Sequence, residues 1–431
     1  MSSSFTYDLV RLPSNLSRFS DVSIPGSKSS TLRALLLSAE LSITTTIQNL
    51  PRSDDTAVML GALEQFGASI IFSDSTTLSI SGPLIHSSVE REINLGESGL
   101  SLRILLAHLS LFGKAPVSFH GRGRLLNRPL NGLENALSSL GVSIIRKPGS
   151  IQVIPHSLPS APVDISIDPS VSSQWVSALA LSLAHHPFGG KINFDRPIVS
   201  KSYLDLTSAW LKIFGCIQCV EATRWIIPGG LSSPGNCLIE GDWSSAAAFI
   251  LASATQGIPL CIKGLSKETS QGDEFLLEIL SRSSVKHQWE ENNLYIVGKI
   301  DRGIYEDLSS CPDLAPVLAA ACVNGPEPSH LKGLQTLREK ESDRFQKIQD
   351  LIHWLGGRCV IKTSSEIVIY PRTSYRKPLA AFDPGQDHRL AFATALGALL
   401  TGGTIMDPNC VNKTFPGFWV EWSKMLGQEK M

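Results

Sequence analysis

Leu60 to Phe72 reads LGALEQFGASIIF, and the phrase returns as LENALSSLGVSII from Leu133, TSAWLKIFGCIQC from Thr207 and IQDLIHWLGGRCVI from Ile348. Each copy has apolar residues at helical spacing, a glycine stop and then a run with strand-forming residues. Gly67, Gly141 and Gly215 are separated by two equal steps of 74 residues. LEILSRSSVKHQW from Leu277 lacks the glycine but carries Ser284 in its place, and WVEWSKMLGQEKM ends the chain with a weaker copy around Gly427. With Gly356 included, the later steps are 69, 72 and 71 residues, which makes six units.

The first unit shows the expected internal order. SDVSI, TTTIQNL, ASIIF and TLSIS read as strands, and SSTLRALLLSAE and DTAVMLGALEQF read as helices. Strands alternating with helices predict an α/β (α+β) chain built from βαβαββ units. A period near seventy residues is too long for a solenoid repeat, so six units suggest two domains of three.

Composition narrows the functional classes. Of 431 residues, 42% are hydrophobic and 18% charged, the balance of a globular protein. The 38 Lys and Arg against 39 Asp and Glu leave a net charge of -1, with no bulk attraction to nucleic acid or an anionic membrane. The opening MSSSFTYDLVRLPS lacks the apolar run of a signal peptide, so a cytoplasmic location is expected. Eight scattered Cys read as reduced thiols, and the lone C-x-x-C at Cys216 and Cys219 has no second pair to make a zinc site. No metal site is expected.

Charge instead collects at helix starts, where free N–H groups and the dipole favour anions. Lys28, Ser29 and Arg33 open one apolar helix, and Gly99 and Arg103 open another. Arg128 precedes a helix expected to start at Pro129, and Ser172, Ser173 and Gln174 stand before WVSALALSLA. Ser244 and Ser245 read as plain N-caps. Lys340, Glu341 and Arg344 read as the first turn of a helix, with Lys340 and Arg344 aligned on Ile348. Arg389 begins an almost wholly apolar helix, and Lys413 lies beside a Pro turn. Many cations with few carboxylates, such as Asp313 and Glu341, describe a site for small, multiply charged anions.

PGSKSSTLRALLLSAE, SDD at Ser53, SSQ at Ser172, SKSYLD at Ser200, QGD at Gln271, PD at Pro312, LREKESDR, DHRLAF and NKTFP together resemble the 5-enolpyruvylshikimate-3-phosphate synthase family. They occur in the family's order over nearly the whole chain. The resemblance implies a two-domain inside-out α/β barrel, each domain of three βαβαββ units. Residues 1-25 plus 241-431 would form one domain and 26-240 the inserted one.

The implied reaction, in aromatic amino acid biosynthesis, moves the carboxyvinyl group of phosphoenolpyruvate to the 5-hydroxyl of shikimate 3-phosphate and releases phosphate. By the same resemblance, Lys28, Ser29, Arg33, Ser172, Ser173, Gln174, Ser200, Asp313 and Lys340 would hold shikimate 3-phosphate. Lys28, Gly99, Arg128, Arg344, Arg389 and Lys413 would hold phosphoenolpyruvate. Asp313 would be the base, Glu341 the acid, and Lys28 would share proton transfer. Glu97 and Leu100 depart from the family pattern and put a carboxylate near the expected phosphoenolpyruvate site.

No cofactor is implied, the partners are small anionic substrates, and a monomer is expected. The competing readings are an anion-binding relative without turnover and an enolpyruvyl transferase acting on UDP-N-acetylglucosamine. The latter would carry a reactive Cys between Gly113 and Arg128, where this chain has none, and would lack KESDR. RNA 3'-phosphate cyclase uses related units but would need a nucleophilic His and a basic face.

Overall fold

In the computed structural model, which describes residues 5–86, 88–156 and 160–428, all six phrases end in the same backbone turn. Two or three residues past each helix φ is positive: 86° at Gly67, 87° at Gly141, 79° at Gly215, 61° at Ser284, 79° at Gly356 and 69° at Gly427. The following N–H then reaches back five residues, as from Ala68 to Leu63 O, Val285 to Leu280 O and Gly357 to Ile352 O. This is the Schellman closure, which satisfies carbonyls that the helix end leaves open. Ser284 takes the same left-handed turn without being glycine, so the fifth phrase is a full member of the repeat.

At Gly356 a Cβ would meet nothing closer than Ser374 O at 3.8 Å, so a side chain there adds backbone strain and no clash. Gly356→Ala is expected to lower stability by about 1 kcal/mol, left-handed strain outweighing the entropy gained. Urea unfolding checks this, and an unchanged midpoint would refute it.

The chain forms two compact units, Met1–Pro25 with Glu240–Met431, and Gly26–Ile239. The inserted unit contains α1 (Lys28–Ala39), α2 (Asp54–Gln65), α3 (Gly99–Phe112), α4 (Asn131–Ser138), α5 (Ser173–His185) and α6 (Ser202–Ile213). The other contains α7 (Trp243–Gln256), α8 (Phe275–Ser281), α9 (Ala315–Val323), α10 (Arg344–Trp354), α11 (His388–Gly397) and α12 (Phe418–Met425).

Odd and even helices differ in kind. The odd ones are buried almost all round, as in α7 and α9, because their sequences are apolar on every face. The even ones bury one stripe, such as Met59, Ala62 and Leu63 of α2 or Phe345, Ile348 and Ile352 of α10. Within each unit the three odd helices pack on one another, and each unit has its own apolar core.

Four-stranded sheets accompany these helices. In each, a parallel pair of strands continues into an antiparallel hairpin that follows an even helix, and in three of the five the parallel pair is joined across an odd helix, as in 91–94, 117–120, 150–154 and 143–147. Helices inside and sheets outside give the inside-out arrangement, but the strands stay in separate sheets. No closed barrel of strands is present among the described residues.

Three strands pair in ways that the repeat does not dictate. Val22–Ser23, expected to begin the first repeat, pairs in parallel with Leu260–Lys263 of its own unit. Its place beside Thr45–Gln48 is taken by Asn236–Leu238. The sixth repeat has no hairpin after α12 among the described residues, and Thr6–Leu9 pairs antiparallel with Gly403–Met406 instead. In all three cases a strand edge needs a hydrogen-bonding partner, and chain order does not dictate which segment supplies it.

Candidate active site

The odd helices of the two units begin differently. In the inserted unit α1, α3 and α5 follow Ser27, Ser98 and Ser172, neutral residues that leave the positive dipole end uncompensated. In the other unit Asp242 caps α7, Asp387 caps α11, and Asp313 lies in the short 3-10 turn leading into α9.

In the inserted unit, Lys28 is the first residue of α1 and its Nζ lies 3.1 Å from Asp55 Oδ2. Gly99 starts α3, and a Cβ there would fall 2.2 Å from Arg128 Nη1 and 3.2 Å from Arg103 Nη1. The missing side chain therefore lets two guanidinium groups approach a helix N-terminus, a place where their charge favours an anion. Arg103, another helix-start cation, donates to Gly99 O (3.1 Å) and Pro129 O (3.0 Å). Ser172 accepts from Gln174 N at 3.3 Å, Ser173 is buried at the head of α5, and Gln174 Oε1 is buried without a partner among the described residues. Ser200 is buried with φ 51° just ahead of α6.

Arg33, expected to hold shikimate 3-phosphate, is turned into its own unit. It donates to Thr207 Oγ1 (2.9 Å), Ser29 O (2.7 Å), Tyr203 O (3.2 Å) and, more loosely, Ser177 Oγ (3.4 Å). Burial lowers its pKa to about 10. Glu97 faces Arg122 at 3.6 Å. The helix expected from Pro129 begins at Asn131.

In the other unit the predicted residues form one cluster. Arg344, 1% exposed, donates to Asp387 through Nε (2.7 Å) and Nη2 (3.2 Å), to Asp313 through Nη1 (2.8 Å) and to Glu341 through Nη2 (2.8 Å). Lys340 Nζ is 3.4 Å and Arg389 Nη2 3.7 Å from Asp313, and Lys413 Nζ is 3.9 Å from Glu341. Burial opposes ionisation of Asp313, but Lys340, Arg344 and Arg389 prevail and hold its carboxyl well below the usual range. Burial also disfavours a charged Arg344, yet Asp387, Glu341 and Asp313 raise its pKa well above the ordinary value.

Three readings of this region need correction. Lys340 and Glu341 are not helical: α10 starts at Arg344 with Asp343 as its cap. Ser244 and Ser245 are not plain caps, because Asp242 accepts from Ser245 N at 2.7 Å and Ser244 donates to Asp273. Carboxylates are also more numerous than expected, with Asp242, Asp273 and Asp387 joining the cluster. Burial raises Asp273 to about 7, with Asp313 adding to the shift and Arg389 opposing it. An Asp before an apolar helix, as in GDWSS, was the signal that could have revealed Asp242.

The sequence reading anticipated no metal-ligand cluster, yet Glu40, His86 and His108 meet within the inserted unit. They come from three distant segments, so no spacing motif marks them.

Two repeat-built units whose buried helix starts gather cations and paired carboxyls define an enzyme of small anionic substrates. The family model for EPSP synthase (3-phosphoshikimate 1-carboxyvinyltransferase) matches residues 13–422, and the chain belongs to that family. The 3-phosphoshikimate 1-carboxyvinyltransferases of Shewanella denitrificans and Serratia proteamaculans are each 32% identical to it, over 94% of this chain and 96% and 95% of theirs. An EPSP synthase structure from Acinetobacter baumannii shares the fold with a TM-score of 0.77 at 22% identity, covering 97% of this chain and 98% of that one.

Proposed function

We propose that this chain performs the family's reaction with Asp313 as base and Glu341 as acid, both held on the guanidinium of Arg344. The reaction transfers the carboxyvinyl group of phosphoenolpyruvate to the 5-hydroxyl of shikimate 3-phosphate and releases phosphate, a step of aromatic amino acid biosynthesis. As the hydroxyl oxygen bonds to C2 of phosphoenolpyruvate, Asp313 accepts its proton and Glu341 delivers one to C3, forming a tetrahedral adduct. Collapse of the adduct expels phosphate and returns a proton from the new methyl group.

The observation that carries this reading is the set of cations around Asp313, which keeps it ionised and ready to accept. Glu341, 2.8 Å from Arg344 and 3.9 Å from Lys413, takes the donor's part because Asp313 is assigned the hydroxyl's proton and the addition needs a second group to protonate C3. Lys28 would assist proton transfer, and Ser29, Arg33, Ser172, Ser173, Gln174, Ser200, Asp313 and Lys340 would hold or position shikimate 3-phosphate. Lys28, Gly99, Arg128, Arg344, Arg389 and Lys413 would receive phosphoenolpyruvate. Phosphate release from phosphoenolpyruvate should require shikimate 3-phosphate. Release supported by UDP-N-acetylglucosamine in its place would overturn the assignment.

Because these ligands belong to both units, shikimate 3-phosphate is proposed to draw the units together, in a monomer working in the cytoplasm. No helix among the described residues is long and apolar enough to cross a membrane. Solution scattering should give the mass of one 46.6 kDa chain and a radius of gyration that falls on adding shikimate 3-phosphate. An unchanged radius would count against closure.

A further inference from the structure

We infer that Glu40, His86 and His108 form a binding site for a divalent transition-metal cation, Zn2+ by its donor set, at the C-terminal end of the buried helices of the inserted unit. Glu40 is the C-cap of α1, His108 lies near the end of α3, and His86 comes from the segment after the strand Leu78–Ser81. Glu40 Oε1 is 2.6 Å from His108 Nε2 and 3.1 Å from His86 Nε2, and the three ligand atoms lie within 4.8 Å of one another. Glu40 Oε2 is separately engaged by Leu84 N at 3.4 Å.

Two imidazoles and a carboxylate are a tetrahedral zinc donor set that leaves one position open. Ligand atoms on such an ion stand roughly 3.3 Å apart, given bond lengths near 2.0 Å. Side-chain shifts of less than about an ångström bring the 2.6 and 3.1 Å separations to that spacing. His108 is fully buried, while Glu40 and His86 keep 12% and 14% side-chain exposure, which gives an ion a way in.

The electrostatics of this place call for a cation. α1, α3 and α5 all end here, and helix C-termini carry negative potential. Neither α1 nor α3 has a basic residue in its last turn, and α5 has only His185. An ionised carboxylate at a helix C-terminus is unfavourable until something positive joins it. The other unit meets a similar need with a side chain of its own: Arg372 donates to Gly397 O at the end of α11 and to Asn324, the C-cap of α9.

The active-site candidates Lys28, Gly99 and Ser173 begin the same three helices, so the cluster lies about 18 Å away by helix length. Loss of the ion should therefore act on the stability of the unit rather than on its chemistry.

The test uses the full chain, stripped with a chelator and titrated with Zn2+ alone against a chromophoric competitor. One Zn2+ per chain is expected, with X-ray absorption showing N and O neighbours at about 2.0–2.2 Å and a thermal midpoint a few degrees higher. His86→Gln, at the less buried position, should weaken binding by more than about a hundredfold, since even outer-shell partners account for roughly 10- to 100-fold. Its turnover should be unchanged. Glu40→Gln, which keeps shape and hydrogen bonding, should behave likewise. Equal zinc affinity in the wild type and His86→Gln would overturn the site. So would a wild type that takes up no zinc, which would leave the triad a protonation-dependent hydrogen-bond cluster.

Discussion

Glu341→Gln is expected to bind both substrates and to turn over roughly a hundred- to ten-thousand-fold more slowly, the span of general acid catalysis. The amide can still accept from Arg344, whose Nη2 lies 2.8 Å from Glu341 Oε2, so the cluster should keep its shape. What disappears is a proton that can be delivered to C3 of phosphoenolpyruvate. If Glu341 only paired with Arg344 on a wet helix face, the substitution would shift stability slightly and spare the rate. The burial of Arg344 and the turn that carries Glu341 argue against that reading. Steady-state kinetics decides it, and near-normal kcat would remove Glu341 from the mechanism.

Arg344→Ala should be the most destabilising of the single substitutions in this cluster, by roughly 3–5 kcal/mol, the cost of breaking a buried ion pair from one side. Asp387 has no exposed side-chain surface and would lose its bidentate partner, keeping only the hydroxyl of Ser342 (3.0 Å) and the N–H of Arg389 (3.0 Å). Asp313 and Glu341 would each lose a guanidinium at 2.8 Å. Arg344→Lys keeps the charge but cannot span three carboxyls, so it should fall between the two. Urea unfolding read by tryptophan fluorescence checks the order, and a loss below about 1 kcal/mol for Arg344→Ala would show that the carboxylates find water instead.

Much of the architecture was legible because it is local. A helix ending in a left-handed turn leaves a glycine and an apolar stripe in the sequence, and the recurrence exposed five of the six turns by Gly and the sixth by Ser284 alone. Cations on apolar faces were legible for a related reason: Arg344 continues the apolar stripe of its helix and Arg389 opens an almost wholly apolar one. The partners that complete those cations were harder to read. Asp387 and Asp242 resemble ordinary helix caps until the fold brings Arg344 and Arg389 against them. Arg33 reads like the other helix-start cations, yet Thr207 and the carbonyl of Tyr203, more than 160 residues away, take up its donors.

By itself, the sequence determined the repeat, the helix ends, the buried character of the odd helices and the identity of the charged groups, all of which follow from spacing within about fifteen residues. Tertiary structure alone decided that Asn236–Leu238 completes the first sheet, that Val22–Ser23 pairs with Leu260–Lys263, and that Thr6–Leu9 pairs with Gly403–Met406. It also decided that Glu40, His86 and His108 meet. Strand edges and buried charges must each find a complement, but hydrogen bonding and Coulomb attraction act through space without regard to chain order.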